Sequence, residues 1–179
     1  MNQQLEKTDH IHEDQYLEYF TAPPSKETKV TLNISRSPFV LLSYTATQYV
    51  QVTSAIFRKK FGIGSTAWRL LVVLFRNPRS SSNEISQFVR TDKAAVSRAL
   101  HLLMEQGYVH YSGHPEDERI KVWSLSESGE LLHDRMLKVS AKIYEYLLSD
   151  LEDHEINSLR HSLQVLSKRI DHLPEKIFE

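Results

Sequence analysis

Residues 92–125 read DKAAVSRALHLLMEQGYVHYSGHPEDERIKVWSL, and this stretch decides the fold. Thr91 or Asp92 suits a helix N-cap, residues 93–106 have helical periodicity, and Gly107 is typical of a helix end. Two short runs follow, at residues 108–111 and 120–125, and the second alternates as a strand does. The sequence therefore predicts a helix followed at once by a two-stranded hairpin with an acidic tip.

A second short helix precedes this one. Ser81 and Glu84 stand in the spacing of a capping box, which predicts a helix start and a short helix through Ile85, Phe88 and Val89. Two short helices with a tight joint form a helix-turn-helix, and a hairpin directly after them makes a winged helix. The predicted fold class is mainly α, with a small β-hairpin wing and a helical dimerisation region.

The helix over residues 93–106 has two different faces. Three apolar residues at i, i+4 and i+7 predict an inward face: Val96, Leu100 and Leu103. Four others predict an outward face that is small at its start and then carries hydrogen-bonding groups: Ala94, Ser97, Arg98 and His101. A helix that enters a DNA major groove needs both features. From this helix alone, an ordinary amphipathic helix with a solvated face is an equal alternative.

Two helices are predicted upstream. Ser37 suits an N-cap and Pro38 the first helical position, so we expect a long helix over residues 39–61. The next helix begins near Ser65 or Thr66, carries apolar positions Trp68, Leu71, Val72 and Phe75 at helical spacing, and ends at Asn77-Pro78. Residues 1–36 are expected to form a polar arm, with a short helix around residues 14–20.

The C-terminal third predicts two more helices. The first has an apolar stripe: Leu132, Met136, Val139, Ile143 and Leu147. The second has apolar residues spaced three and four apart, as in a heptad seam: Ile156, Leu159, Leu163, Leu166 and Ile170. Such a narrow seam suits packing against another helix, either within the chain or in a second subunit. The predicted organisation is an arm (1–36), a winged lobe (65–125) and a dimerisation region (37–64 and 126–179).

Composition excludes several classes of protein. The chain has no cysteine, so disulfides, thiolate metal sites and cysteine redox sensing are excluded. The N-terminus does not resemble a signal peptide and no apolar run approaches membrane-spanning length, so we expect a soluble, cytoplasmic protein. Although the net charge is −1, residues 58–121 hold 11 Lys and Arg against 6 Asp and Glu. The basic middle and acidic flanks are suggestive of a polyanionic partner.

Four motifs in the same order resemble the MarR (multiple antibiotic resistance regulator) family of winged-helix transcription factors. Residues 117–129 match the wing signature, which has Asp-x-Arg, then Leu-Ser, then glycine. Residues 92–98 resemble the start of the recognition helix, residues 105–109 its end, and residues 67–71 the preceding helix motif. The resemblance covers residues 37–174. Two departures, His110 and the bare Ala94-Ala95 pair, affect which operator contacts are expected.

The resemblance implies how the chain binds double-stranded DNA. Arg119 is expected in the minor groove, whose negative potential attracts a guanidinium, and Asp117 is expected to hold that arginine or the loop. The recognition-helix contacts are expected from Lys93, Ala94, Ala95, Ser97, Arg98 and His101. Phosphate contacts are expected from Ser81, Ser82 and Lys121, with Lys93.

The resemblance also implies a homodimer on a near-palindromic operator, with half-sites about 10 bp apart, that acts as a repressor. A small aromatic or phenolic acid is expected as effector, with no cofactor. The candidate effector pocket comprises Tyr44, Tyr49, Arg58, Trp68, Arg69 and His133. Trp68 is also interpreted as a core residue, because it lies on an inward face.

Three other functions were weighed. A metal sensor on the same scaffold would use some of the nine histidines, among them His10, His12, His110, His114, His154 and His161. No pair has the i, i+4 spacing on a helix that converges on one ion, because His110 and His114 bracket a predicted turn. An enzyme is not expected, because no nucleophile, phosphate-loop or zinc-protease motif is present. A winged helix used only for protein contacts would bind DNA weakly and without preference.

Overall fold

The computed structural model describes residues 15–21, 23–24, 26–115 and 117–174. Within these residues the elements are, in order, β1 (Leu17–Thr21), β2 (Thr28–Leu32), α1 (Pro38–Phe61), α2 (Ser65–Arg76), β3 (Ser80–Ser81), α3 (Ser82–Val89), α4 (Lys93–Glu105), β4 (Val109–Gly113), β5 (Lys121–Leu125), α5 (Glu127–Leu148) and α6 (Asp153–Ile170). The chain divides into two compact units, Met1–Thr66 and Ala67–Glu179. The predicted fold class, mainly α with a winged helix-turn-helix, is confirmed.

The N-terminal arm contains a β-hairpin, so the helix predicted around residues 14–20 is wrong. β1 and β2 pair antiparallel, with Tyr19 opposite Val30. The segment Leu17–Thr21 is rich in residues that favour strands, and its β2 partner supplies the backbone hydrogen bonds. The helical interpretation failed because strand pairing depends on a segment that lies seven or more residues away.

The predicted start and end of α1 are confirmed. Ser37 precedes the helix with Pro38 at its first position, and the backbone N–H of Gly62, in the left-handed region at φ 77°, donates to the Arg58 carbonyl. The start of α2 is held by hydroxyl groups of α1. Thr53 Oγ1 and Ser65 Oγ lie 2.9 Å apart, and the Ser65 backbone N–H donates to the Ser54 hydroxyl.

Four helices and the wing enclose the core of the second unit. Its fully buried apolar residues come from α2, α3, α4, β5 and α5, and they are Leu70, Leu71, Leu74, Ile85, Val96, Leu100, Leu103, Val122 and Met136. The inward face predicted for α4 is therefore confirmed. Three apolar residues predicted at helical spacing, Val72, Phe75 and Phe88, are exposed. The buried face of α2 instead includes Leu70 and Leu74.

The sheet of the winged lobe has the strand order β3-β5-β4, all antiparallel. The strand predicted from Ile120 begins at Lys121, and Ile120 is exposed. The predicted alternation also fails at Trp123 and Leu125, because Val122 and both of these residues are buried, so both faces of β5 are covered.

A glycine lets α5 pack closely against the wing. A Cβ at Gly129 would overlap the carbonyl oxygen of Tyr108. That same carbonyl accepts a hydrogen bond from the Ser126 backbone N–H, and the Ser126 hydroxyl caps α5 by accepting from the Gly129 N–H. The glycine of the wing signature thus fixes where α5 leaves the sheet.

The two C-terminal helices differ in burial. In α5, Leu132 and Met136 are buried, but the stripe becomes exposed by Leu147. No residue of α6 is buried. In the predicted seam, Ile156 and Leu166 are half-buried, whereas Leu159, Leu163 and Ile170 are exposed. The seam therefore has little cover within one protomer.

Candidate nucleic-acid interface

The start of α3 is fixed by the capping box predicted from sequence. The Ser81 hydroxyl accepts from the Glu84 backbone N–H, and a Glu84 carboxylate oxygen accepts from the Ser81 backbone N–H and hydroxyl, both at 2.8 Å. The bond from the Ser81 backbone N–H, and then that from its hydroxyl, lower the pKa of Glu84. Both donors of Ser81 are thus directed at the Glu84 carboxylate, and the phosphate contact of Ser81 stays a prediction.

Ser82 is tied to the wing. The Trp123 indole N–H donates to the Ser82 hydroxyl at 3.0 Å, and Trp123 itself is buried in β5. The hydroxyl remains free to donate its own hydrogen outward, since it only accepts from the indole. The bond sets the wing strand against the first turn of α3, so two predicted phosphate contacts, on α3 and on β5, are held in one framework.

On the same face of the wing, Lys121 lies over an aromatic ring. Its Nζ is 4.2 Å from the ring centroid of Tyr111, and Tyr111 packs against Trp123 at 5.3 Å between centroids. The register puts Tyr111 directly opposite Trp123 on β4. A cation held over an aromatic face keeps its charge while its side-chain freedom falls. Tyr111 was not among the residues predicted for the site.

The recognition helix α4 is capped and presents the predicted face. The Asp92 carboxylate accepts from the Ala95 backbone N–H at 2.8 Å, which identifies Asp92 as the N-cap. Val96, Ala99, Leu100 and Leu103 are buried in the unit. All four residues predicted on the outward face are exposed: Ala94, Ser97, Arg98 and His101. Lys93 is also exposed, and Ala95 is half-buried. The helix thus offers small residues at its start and donors one to two turns later.

The joint between α3 and α4 is fixed by side chains from elsewhere in the unit. The Ser86 hydroxyl donates to the Thr91 carbonyl, and Arg69 Nη2 donates to the Thr91 hydroxyl at 2.8 Å. Arg90, which ends α3 at φ 48°, makes a two-pronged ion pair with Asp171 at 3.0 and 2.8 Å. Arg69 was predicted in the effector pocket, and the structure gives it a role in positioning the joint.

At the wing tip, the Asp117 carboxylate holds Arg119. The carboxylate accepts from the Arg119 backbone N–H, and its two oxygens accept from Nε at 2.9 Å and from Nη2 at 3.0 Å. The guanidinium bond is the larger reason that the pKa of Asp117 is lowered. Because the Arg119 side chain is 90% exposed and Asp117 33% exposed, the arginine projects outward from a carboxylate at its base. Asp117 thus makes the predicted contact with Arg119, and the part that the pair plays in DNA binding stays a prediction.

The acidic tip is also closed by its backbone. The His114 N–H donates to the Ile120 carbonyl, and the Ile120 N–H donates to the Asp117 carbonyl. Asp117 therefore organises a turn from which the Arg119 side chain projects into solvent. The loop holds three acids and one arginine. It is compatible with a polyanionic partner if the carboxylate that binds the guanidinium faces away from that partner.

Arginines at unusual backbone positions were missed in the sequence analysis. Among the described residues other than glycine, Arg79 (φ 63°) and Arg90 (φ 48°) have positive φ, and they flank α3. The Arg79 backbone N–H donates to the Ser124 hydroxyl, while among the described residues its guanidinium has no bond. The turn sequence Asn77-Pro78 was the one available signal, and it predicts a turn without predicting left-handed backbone at the next residue.

The predicted effector residues fall in both units. In the second unit, buried His133 stacks on Phe75 at 4.0 Å and lies 5.4 Å from the ring of buried Trp68. His133 Nδ1 lies 3.1 Å from an Asp134 carboxylate oxygen. In the first unit, Tyr44 and Tyr49 are exposed on α1, and the Arg58 guanidinium lies against Gly64. The pocket stays a prediction.

Within the part of the chain that the structure describes, no group of three His, Asp or Glu side chains could hold a metal ion. His10 and His12 of the metal-sensor alternative lie outside the described residues. In the same described part, no helix has the length and apolar character that a membrane span requires.

Comparison with known proteins places this geometry in a family. The sequence model of the MarR family matches residues 61–120. The transcriptional repressor IacR of Pseudomonas putida is 25% identical over 136 residues, which are 76% of this chain and 81% of that protein. The S. aureus MepR–DNA complex has the same fold, with a TM-score of 0.67 at 18% identity, over 74% of this chain and 97% of the other.

The crystal structure of a MarR/EmrR family transcriptional regulator from Acinetobacter sp. ADP1 superposes with a TM-score of 0.73 and 32% identity, over 79% of this chain and 100% of that one. Because a regulator is matched along its entire length at this identity, the chain belongs to the MarR family of DNA-binding transcriptional regulators, a family of regulators rather than of enzymes.

Proposed function

We propose that the protein is a homodimeric repressor that binds a near-palindromic operator. Each protomer would place α4 in a major groove and the Arg119 wing in the adjacent minor groove. The observation that carries this proposal is the outward face of α4, where Ala94 leaves room at the helix start and Ser97, Arg98 and His101 present donors. IacR, which is named a repressor, supports the direction of regulation.

The exposed apolar seam of α6 supports the homodimer. Leu159, Leu163 and Ile170 are exposed in one protomer, and heptad spacing suits a helical partner. Two copies related by a two-fold axis would present two recognition helices to successive major grooves, about 10 bp apart between centres. The operator symmetry would then mirror the protein symmetry.

Fluorescence anisotropy with DNA from directly upstream of the protein's own gene tests the proposal. A shuffled duplex is the control, and both are titrated across a salt series. We expect binding that depends steeply on salt and prefers the native duplex by about a thousandfold or more. Equal, weak binding to every duplex would contradict operator reading and would favour a winged helix used for protein contacts.

A small aromatic acid is the proposed effector class. The cluster of Trp68, Phe75 and His133 supplies stacked rings with one polar edge, which suits an aromatic ligand bearing a carboxylate or phenol. Such a ligand changes DNA affinity only through a different affinity for the free and DNA-bound forms. Adding benzoate or 4-hydroxybenzoate to the operator complex should release DNA, and His133→Gln should weaken that release.

A further inference from the structure

The N-terminal hairpin presents an apolar face that no described part of its own unit covers. The register puts two apolar cross-strand pairs on one face, Leu17 with Leu32 and Tyr19 with Val30. Tyr19, Val30 and Leu32 are 64%, 55% and 43% exposed. A two-stranded hairpin by itself is only marginally stable in water, so a face of this kind needs a surface to pack on.

The hairpin is joined to α1 by a hydrogen-bonded turn. The Asn33 backbone carbonyl accepts from the backbone N–H groups of Arg36 and Ser37, and the Asn33 side-chain oxygen accepts from the Arg36 N–H at 3.1 Å and the Ser35 hydroxyl at 2.9 Å. The Asn33 N–H donates to the Tyr16 carbonyl, which closes the end of the hairpin. This turn links the direction of the hairpin to that of α1.

Helix α1 continues the uncovered apolar surface. Only Thr53, Ser54 and Phe57 of its residues are buried. Eight large apolar side chains along it are more than a third exposed: Phe39, Leu41, Leu42, Tyr44, Tyr49, Val50, Val52 and Ile56. A helix that is apolar on several faces is typically buried on several faces, so α1 requires a partner in addition to its own chain.

The exposed area matches what a stable dimer buries. Taking about 100 Å² for each half-exposed large apolar side chain, α1 and the hairpin together offer roughly 1,000 Å² per protomer, against about 800 Å² per partner in a standard interface. The two charged residues paired into the strands, Glu18 and Lys29, lie on the opposite face of the hairpin. A face without charge can meet a copy of its own surface without like-charge repulsion.

The residues before Ser37 are about as numerous as the residues of this chain that have no counterpart in a relative. The Acinetobacter regulator is covered completely by 79% of this chain, which leaves about a fifth without a counterpart. The 36 residues that precede Ser37 make up the same fraction. A hairpin that carries an apolar face and leads directly into α1 is suited to extending an interface that α1 forms.

We propose that the Leu17–Tyr19–Val30–Leu32 face docks on a second copy of this chain and enlarges the dimer interface beyond the helices. The inference rests on the homodimer of the proposed function. Each hairpin acts as an arm on the partner protomer, so the arm is ordered by dimerisation and contributes to it. The opposite face, with Glu18, Phe20, Lys29 and Thr31, stays in solvent.

The absence of cysteine in the chain permits a clean test with the full-length protein. Val30→Cys and Thr31→Cys place one thiol on each face of the same strand, and each is labelled with an environment-sensitive fluorophore such as acrylodan. The samples are diluted until sedimentation equilibrium shows mostly monomer. We expect the label at position 30 to emit at shorter wavelength in the dimer and to shift red in step with dissociation. The label at position 31 should report solvent throughout.

One result would overturn the proposal while leaving the dimer intact. If position 30 does not change as sedimentation reports dissociation, the face is either bare or covered by its own chain. If sedimentation equilibrium finds only monomers at every concentration, both the proposed homodimer and this inference are wrong. As a second readout, Val30→Lys should weaken dimerisation by about tenfold or more because the interface would bury a charge, whereas Thr31→Lys should leave it unchanged. Circular dichroism verifies that each variant folds.

Discussion

Replacing Arg79 with glycine should stabilise the fold. Arg79 is held at φ 63°, a left-handed conformation that is unfavourable by about 1–2 kcal/mol for a residue with a Cβ and neutral for glycine. Glycine also increases the freedom of the unfolded chain, which offsets about 0.4–1 kcal/mol of that gain. The net expectation is a free energy of unfolding higher by about 0.5–1 kcal/mol, and a melting temperature higher by about 1–4 °C.

The same substitution should weaken DNA binding. Arg79 lies two residues before the N-cap of α3, its backbone N–H is fixed to Ser124 of β5, and its guanidinium has no bond among the described residues. An unpaired cation beside the start of α3 is placed for a phosphate contact. Loss of one such contact should reduce the slope of log affinity against log salt by about one, with similar losses on operator and shuffled DNA.

Arg79→Ala separates the two effects, because alanine removes the guanidinium but keeps the Cβ that makes positive φ unfavourable. We expect alanine to show the binding loss without the gain in stability. Urea denaturation of the three proteins measures stability, and anisotropy across a salt series measures binding. A glycine variant no more stable than the wild type would refute the strain argument. A salt slope equal to that of the wild type would refute the phosphate contact, whatever the stability.

Three other substitutions test separate parts of the lobe. Arg98→Ala should lose about 1–3 kcal/mol on the operator and relax preference at one base pair, whereas an equal loss on all sequences in anisotropy would make Arg98 a phosphate contact. Asp117→Asn should release the Arg119 guanidinium and weaken operator binding. The pKa of Asp117 is lowered in the folded protein, so the stability that its carboxylate contributes is present above the unfolded pKa and is lost as the pH falls through the folded pKa. The free energies of unfolding of the wild type and Asp117→Asn, measured in urea, should therefore converge at low pH. Gly129→Ala should destabilise the fold by about 1–3 kcal/mol, measured by thermal denaturation, because its Cβ would overlap the Tyr108 carbonyl. Glu130→Ala, one residue away and exposed, is its matched control, and equal melting temperatures for the two variants would contradict the clash.

Local signals made the winged lobe predictable from sequence. The capping box at Ser81 and Glu84, the N-cap at Asp92 and the inward set headed by Val96 each depend on residues within one or two helical turns, and each is present in the structure. The wing followed from alternation and turn chemistry, and the resemblance identified Asp117 and Arg119 as a pair. The structure supplied the distances that make this pair a bidentate contact.

Non-local interactions account for most of what sequence reasoning missed. The arm hairpin needs pairing between β1 and β2, and the apparent helical tendency of residues 14–20 concealed it. Val72, Phe75 and Phe88 are apolar at helical spacing, yet their exposure depends on how the helices are turned against the rest of the unit. The positive φ of Arg79 follows from the sheet that anchors its backbone, which no property of an arginine in the sequence reveals.

The placement of the recognition helix depends on two contacts that come from distant parts of the chain. Arg69 of α2 holds the Thr91 hydroxyl, and Asp171, just after α6, holds the Arg90 guanidinium, so both contacts act on the two residues directly before Asp92. Each is an exposed contact and adds little to stability. They matter for the position of the joint, because a shift of α2 or of the end of α6 would move the groups that bind Thr91 and Arg90. The predicted effector ring cluster includes Trp68 of α2, and the predicted dimer seam runs along α6. We therefore expect a ligand that moves α2, or a partner that moves α6, to change the position of α4 through this joint.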